Sequence, residues 1–423
     1  MNYRVADFFD TMTAVFLPEE YKKDLYIFVA QNSKSYEYAK SVFKAEKLIP
    51  IPIYSKLGNY MREKEILYSS ELTSKLKEKK ITHLIVPHRC TPVMKHWAKT
   101  HNITLIGTPF AQQQKFENKI YFDSLLKNNG ISSPLTITNI SELKENKKYV
   151  VQKQMSYGLF GTKFSQNKKE LENNMSSGQK ILVREYLEGI PLGVSIVIDT
   201  EGNYFFSAFR RQCFTNSNGF PSSFLGIQWL PSNFFDKQLT SKIYTLLNQL
   251  AELLIKMHFT GIANIDLLVT QTTPYILECN PRLSSASDQQ FSVSEINGIA
   301  NPFPFFLNTF LHKKNTGVKG AIPHSSFSGC LLDIDVKGKQ KITKIPPIGI
   351  YRLYEENVEY KGTDINLMNE KNSFFMIHYL QKKGTYHDFE LCSVISPFAL
   401  FDYKTGFLNH TGKTIYHTLL RIF

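Results

Sequence analysis

No apolar run in this 423-residue sequence approaches the roughly 18–20 residues that a membrane-spanning helix needs. The aromatic segment 302–311 is too short to span and reads as core or pocket wall. The opening residues, MNYRVADFFD, lack a basic stretch followed by an apolar one, so no secretory signal is expected. Cysteine is scarce. Cys90, Cys213, Cys279, Cys330 and Cys392 are widely spaced, odd in number and form no CxxC. That pattern argues against a disulfide framework or a zinc site and for reduced thiols in a cytoplasmic protein. No GxGxxG follows the first strand signal, which removes the dinucleotide fingerprint. Internal repeats and low-complexity tracts are missing. The net charge of +13 comes mostly from lysines spread along the whole chain. Clusters such as Lys77-Glu78-Lys79-Lys80 read as solvated helix ends. With neither a basic stripe nor a recognisable module, a nucleic-acid partner is not expected.

A composition of 42% hydrophobic and 21% charged residues suits a globular chain, and the length allows two or three domains with real cores. The first ~110 residues alternate strand and helix signals, the pattern of an α/β layer with a parallel sheet. Strands are expected at 24–30, 48–54, 81–87 and 103–107, with helical stretches at 35–47, 71–79 and 92–101 between them. This layer is expected to be a substrate-side scaffold. A helix over 112–128 carries Lys119 and ends at Asn129-Gly130. A β-rich segment follows, with strands at 149–153, 181–186, 194–199 and 204–211. Leu239, Ile243, Leu246, Leu247, Leu250, Leu253, Leu254 and Met257 keep a 3.6-residue period and predict an amphipathic helix over 239–258. Strand signals return at 328–336 and 373–380.

The richest stretch is 264–282, NIDLLVTQTTPYILECNPR. Segments 265–270 and 274–280 read as strands joined by Gln271-Thr272-Thr273. A hairpin centred on Thr272 sets Asp266 opposite Glu278 and Asn264 opposite Asn280. Alternation puts Glu278 and Asn280 on one face, and Asp266 joins them across the ladder. Carboxylates directly opposed have Cβ atoms about 5 Å apart and repel. A hard cation removes that cost, and Mg²⁺ takes one or two carboxylates plus phosphate oxygens. Arg282 follows as a fixed cation for an anionic substrate. The plainer alternative is an exposed hairpin with scattered charges, or a register slipped by one residue. In 149–164, YVVQKQMSYGLFGTKF, an apolar strand delivers Lys153 to its end before a turn with Gly158 and Gly161. Such a loop can lay backbone N–H groups over phosphates. In 181–198 a strand reaches Glu185-Tyr186-Leu187 and then Gly189, a break that can offer main-chain groups to a purine edge. An ordinary strand end looks the same.

Taken in order, Lys119, Lys153 with its glycines, Glu185-Tyr186-Leu187, then Asp266 with Glu278-Cys279-Asn280-Pro281-Arg282 resemble the ATP-grasp superfamily. The hairpin is most similar to the carbamoyl phosphate synthetase and biotin carboxylase branch and to carboxylate–amine ligases. The resemblance spans 103–288. It implies an α/β fold of the α+β ATP-grasp kind, a Rossmann-like parallel-sheet domain followed by a two-lobed ATP-grasp domain. The implied domains are 1–112, 113–312 with a lid at about 149–212, and 313–423. It implies that Lys119, Lys153, Gly158, Gly161, Glu185 and Leu187 bind ATP. Asp266, Glu278 and Asn280 would hold Mg²⁺, two ions, with Mn²⁺ as the substitute. Arg282 and Arg211, the latter beside Arg210 before a loop at 214–223, would serve catalysis on the substrate side. Surface arginines are the alternative for that pair.

Two departures stand out. Pro191-Leu192 occupies the place of the family's ribose-binding acid, and Met155, Tyr157 and Phe160 stand where glycines are commoner. The implied reaction is carboxylate activation as an acyl phosphate, then capture by an amine, releasing ADP and phosphate. Amino acids or small peptides are the expected substrates, with no membrane partner and a homodimer as one option. The rivals are bicarbonate activation of the biotin carboxylase type, weakened by the absence of an MKM biotin-attachment tripeptide, and a non-catalytic nucleotide-binding module. A small-molecule kinase of the same fold ranks lower.

Overall fold

The computed structural model describes residues 5–7, 25–30, 34–51, 70–86, 89–157, 160–283, 287, 302–311, 315, 329–378, 380 and 383–423. Among the described residues, no helix is long and apolar enough to cross a membrane.

The N-terminal layer is a five-stranded parallel sheet of β1 (Val5–Asp7), β2 (Leu25–Ala30), β3 (Leu48–Ile51), β4 (His83–Ile85) and β5 (Thr104–Ile106) in the order β3-β2-β1-β4-β5. Helices α1 (Lys34–Val42), α2 (Ser70–Glu78) and α3 (Pro92–Thr100) alternate with the strands. The central strand β1 is three residues long, too short to carry a periodic signal in the sequence. Thr91 caps α3 by accepting from the Met94 N–H, with Pro92 at the first helical position.

The single helix expected over 112–128 is two, α4 (Phe110–Glu117) and α5 (Lys119–Asn128). Asn118 breaks the run because its side chain accepts from the Tyr121 N–H and becomes the cap of α5. Glu117 and Lys119 thereby flank a corner, one ending a helix and the other starting one.

A small antiparallel sheet, ordered β6-β9-β7-β8, comprises β6 (Thr136–Ile137), β7 (Tyr149–Tyr157), β8 (Phe160–Ser165) and β9 (Ile181–Glu185). Helix α6 (Lys168–Ser176) covers its outer face, where Tyr149, Val151 and Val183 pack with Leu171. Val150 pairs with Arg184 and Gln152 with Leu182, so these alternate to the inner face.

The remaining strands form one eleven-stranded sheet. Its strands are β10 (Ile190–Ile198), β11 (Tyr204–Phe206), β12 (Arg210–Ser217), β13 (Phe220–Trp229), β14 (Gly261–Val269), β15 (Pro274–Asn280), β16 (Cys330–Ile342), β17 (Gly349–Tyr354), β18 (Asn357–Gly362), β19 (Ser373–Ile377) and β20 (Gly384–Ser396). The lid sheet therefore draws on 136–185, while segments 190–198 and 210–212, grouped with it from the sequence, lie in the large sheet. The loop expected at 214–223 is the tip of a β12–β13 hairpin. Because β13 pairs with β16, this sheet runs unbroken across residue 312 into the C-terminal segment. Helix α7 (Lys237–Lys256) packs on it as its period predicts: Leu239, Ile243, Leu246, Leu247, Leu250, Leu253 and Leu254 are buried. Each such side chain contributes roughly 1.5–3 kcal/mol. Helix α8 (Pro302–Phe310) buries Phe303, Phe306 and Leu307 as core, and α9 (His410–Ile422) closes the C-terminal end.

Candidate active site

The β14–β15 hairpin pairs Asp266 with Glu278 and Asn264 with Asn280 as expected. A bulge after Asp266 shifts the turn end, where Leu267 pairs with Ile276 and Val269 with Pro274, so the hairpin is not centred on Thr272 throughout. The Asn280 amide nitrogen donates to Asp266 Oδ2 at 3.2 Å and to Glu278 Oε1 at 3.1 Å, so all three side chains meet at one point. Lys119, buried at the first turn of α5, is ion-paired with Glu278 Oε2. Gln212 of β12 donates to Asp266 Oδ1 at 2.7 Å.

Burial, and then the facing Glu278, pushes the Asp266 carboxyl well above the usual carboxylate range. Burial also pushes Glu278 upward, but Lys119, with hydrogen bonds from its neighbours, outweighs it and holds Glu278 at about 2. Lys119 pairs directly with Glu278, while Asp266 feels Lys119 and Arg210 only through space. Hard oxygen donors with an unbalanced negative charge fit a divalent cation that brings its own phosphate oxygens. Asn280 can turn its amide oxygen toward such an ion, completing the expected ligand set of Asp266, Glu278 and Asn280. Among the described residues no group of three or more His, Cys, Asp or Glu that could hold a metal is found.

Arg282 leaves the hairpin and donates from Nε to Glu117 Oε1 at 3.0 Å. The other oxygen of Glu117 is paired with Arg89 of the N-terminal layer. Glu117, which sequence reasoning missed, therefore orients Arg282 and ties it to two domains. Its signal was hidden because its partners lie far away in the chain.

Arg210 and Arg211 face opposite sides of β12. Arg210, 1% exposed, donates to Ser195 Oγ at 2.9 Å and to Asn264 Oδ1 at 3.1 Å, and lies over the Trp229 ring at 5.4 Å. Burial lowers it to about 10, with Asp266 pulling the other way. Arg211 does not reach the site. It donates to the Tyr403 and Lys404 carbonyls at 2.7 and 2.6 Å on the far face. Arg211, expected on the substrate side, does not line the cavity, whereas its neighbour Arg210 does.

On the lid side, Glu185, Tyr186, Leu187 and Gly189 line the same cavity. The Glu185 carboxylate turns away to Lys147 at 3.1 Å, and the Glu185 and Tyr186 N–H groups donate to the Leu135 and Lys148 carbonyls, each at 2.9 Å. Lys153 is exposed and is not among the lining residues; Val150 and Gln152 occupy the inner face in its place. Gly158 lies outside the described residues. Gly161 has φ +80° beside the β7–β8 turn, a conformation that favours glycine.

The sequence also gave no hint of Arg184 and Asp123. Arg184 donates to Asp123 Oδ1 at 2.9 Å and to the Leu277 carbonyl at 3.0 Å, tying lid, α5 and hairpin together. Asp123 also accepts from Thr136 at 2.7 Å and pairs with Lys127 at 3.0 Å. Finally, Phe220 at the β12–β13 tip stacks on Phe164 of the lid with ring centroids 5.4 Å apart, and meets the Tyr186 ring at 5.5 Å. The cavity so enclosed has a volume of about 420 Å³, within the ordinary range for a small-molecule site.

Residues 116–286 match a family model described as the ATP-grasp domain. Solved structures with the same fold include the biotin carboxylase domain of the 2-oxoglutarate carboxylase from Hydrogenobacter thermophilus, in complex with MgADP, ADP and bicarbonate. It is 12% identical, with a TM-score of 0.64 over 94% of this chain and 87% of that one. The biotin carboxylase of Campylobacter jejuni, in a β,γ-ATP complex, is 13% identical, with a TM-score of 0.63 over 95% and 89%. The L-amino acid ligase of Bacillus licheniformis is 15% identical, with a TM-score of 0.60 over 100% and 98%.

Proposed function

With an ATP-grasp domain at residues 116–286 as its core, we propose that this chain is an ATP- and Mg²⁺-dependent carboxylate–amine ligase that forms ADP and phosphate. The observation that carries the proposal is the meeting of Asp266, Glu278 and Asn280 beside Lys119 in a cavity that Arg210 and Arg282 also line. Bound Mg²⁺ supplies charge compensation for the triphosphate and the transferring phosphoryl group. Everything else is positioning. Main-chain groups at Glu185 and Leu187 take the purine edge. Lys119 balances charge at Glu278, and Arg282, held by Glu117, presents its remaining donors to the acid. The acid's carboxylate oxygen attacks the γ-phosphorus in line, ADP leaves, and an amine then displaces phosphate from the acyl phosphate. No nucleophilic side chain is required, and Cys279 is core: burial pushes its thiol well above its ordinary value.

The segment from 313 onward shares the large sheet through β13 and β16, while a partition at residue 112, a homodimer and a cytoplasmic location belong to the same proposal. The last rests on five buried free thiols. The test is nucleotide release by the purified chain with MgATP and pooled acids and amines. ADP and phosphate are expected; AMP with pyrophosphate as the only nucleotide product overturns the acyl-phosphate route. Parallel reactions with bicarbonate and free biotin address the biotin-carboxylase alternative.

A further inference from the structure

We propose that the acid activated at this site carries an apolar body, of the size of a leucine or phenylalanine side chain, seated on the β12–β13 hairpin; the proposal rests on the ligase reading above. The argument starts from the sheet register. Asp266 pairs with Gly193 of β10, and Gly193 pairs with Arg210 of β12. One step toward the lid, Gln212 pairs with Ile227, and beyond it Phe214 pairs with Phe224. Strands are spaced about 4.8 Å apart, so β12 lies roughly 10 Å to the side of the carboxylate pair and β13 roughly 14 Å. A nucleotide reaching from the main chain at 185–187 to Asp266 and Glu278 runs along β10 and β14. It leaves the β12–β13 surface uncovered, about one small substrate away from the transferring phosphoryl group.

That surface is a hydrocarbon shelf. Phe214, Pro221, Phe224 and Ile227 all line the cavity. Phe214 and Phe224 meet edge to face at 5.7 Å and 72°, and both are only half-buried. Gln212, two residues before Phe214 on the same strand and also lining the cavity, is committed to Asp266. The shelf is roofed as well as floored, because Phe220 crosses from the hairpin tip to stack on Phe164 of the lid. A charged or strongly hydrated acid body would lose hydration against those rings, whereas an apolar one gains by covering them. Gly193, with no side chain, lets the Arg210 guanidinium and the Gln212 amide lie across the floor, 3.5 and 3.8 Å from where a Cβ would stand. The reacting carboxylate can face that guanidinium while its tail extends over the shelf.

The test uses the full chain with MgATP and hydroxylamine as the only amine, so that the readout depends on the acid alone. The hydroxylamine nitrogen forms a C–N bond with the activated acyl carbon. Phosphate leaves with the C–O electron pair and the nitrogen releases its proton to solvent. Hydroxamate and ADP are measured for leucine, phenylalanine, 4-methylpentanoate and 3-phenylpropanoate against glycine, aspartate, glutamate and lysine. The apolar set should exceed the polar set in kcat/KM by roughly ten- to a hundredfold. Phe224→Ser should lower that ratio about tenfold with the KM for ATP little changed. Phe224→Leu, which keeps the site apolar and guards against misfolding, should keep the apolar preference and move it from aromatic toward aliphatic acids. Efficient hydroxamate formation from the polar acids overturns this inference and leaves the ligase reading standing. An apolar preference unmoved by both Phe224 variants overturns the shelf. Formation of neither ADP nor hydroxamate with any acid overturns the ligase reading and the inference with it.

Discussion

Replacing Glu278 with Gln keeps the shape of the site and removes one charge, and the geometry sets what that costs. In the resting protein Glu278 pairs with Lys119 through Oε2 and accepts from Asn280 through Oε1. Breaking a buried ion pair by removing one partner costs about 3–5 kcal/mol. Two effects offset that loss. The facing Asp266 is freed from a like charge, a repulsion worth about 3 kcal/mol at 5 Å and an effective dielectric constant of 20. Lys119, whose charge already acts on Asp266, retains that carboxylate as a partner. The net change in stability is therefore small, within about 2 kcal/mol, or a few degrees in melting temperature. Turnover has no such compensation. A preorganised group acting on developing charge is worth about 100- to 1000-fold in kcat, and a charged cation ligand is at the upper end, so ADP release should fall at least about a thousandfold. Thermal melts separate the two consequences. At one hundred times its Kd, MgATP should stabilise the wild type by about 2.7 kcal/mol, and the Mg²⁺-dependent part of that gain should vanish in Glu278→Gln. ADP release within threefold of wild type, in a folded variant, refutes the assignment of the hairpin.

Arg282→Lys keeps the charge but loses the Nε donor to Glu117 and the planar fork, so kcat should fall about a hundredfold at nearly unchanged melting temperature; ADP release at saturating ATP reads it. Arg211→Met should do the reverse. It removes charge-assisted hydrogen bonds to the Tyr403 and Lys404 carbonyls, each worth about 1.5–3 kcal/mol, and should lower the melting temperature with kcat retained. Gly406→Ala should reproduce that loss, because Gly406 has φ +74° and an added Cβ would stand 2.6 Å from Arg211 Nε. Asp123 supplies a pH dependence. Burial pushes its carboxyl upward, but Arg184, Thr136 and Lys127 together hold it below its ordinary value. Its contribution to stability is thus complete above its unfolded pKa of about 4 and is lost as pH falls from there through the folded value. Urea midpoints between pH 7 and pH 3 should drop at the acid end, and Asp123→Asn, already weakened, should show a shallower drop.

What the sequence revealed and what it hid follow from the range of the interactions. The pairing of Asp266 with Glu278 was legible because two short strands and a tight connection leave little freedom over so few residues, whereas the bulge after Asp266 was not. Helix α7 was legible because its buried positions repeat every turn. The partners of Glu117 and Arg184 were not. Arg282 lies 165 residues from Glu117 and Asp123 lies 61 residues from Arg184, and no local pattern connects them. Facing was the second blind spot. Alternation requires that Arg210 and Arg211 point to opposite sides of a strand, but both are arginine, and only pairing with Gly193 and Leu192 of β10 decides which one faces the cavity. The same ambiguity set Gln152 on the inner face of the lid where Lys153 was expected: with Val150 and Val151 both apolar, the strand carries no contrast to mark its sides.

The two blind spots meet in the way the site is assembled. The hairpin alone gathers Asp266, Glu278 and Asn280, but it leaves two facing carboxylates without a counter-charge of their own. That charge comes from Lys119 on α5 and Arg210 on β12. The α4–α5 corner at Asn118 fixes the direction of both Lys119 and Glu117, so a single helix break sets the cation beside Glu278 and the anion beside Arg282. Replacing Asn118 with Ala, which removes the cap accepting from the Tyr121 N–H, should cost about 1 kcal/mol of stability. It should also lower turnover by more than that loss explains, since both ion pairs shift together. Equal kcat in a melting-matched comparison would show that the corner is scaffold only.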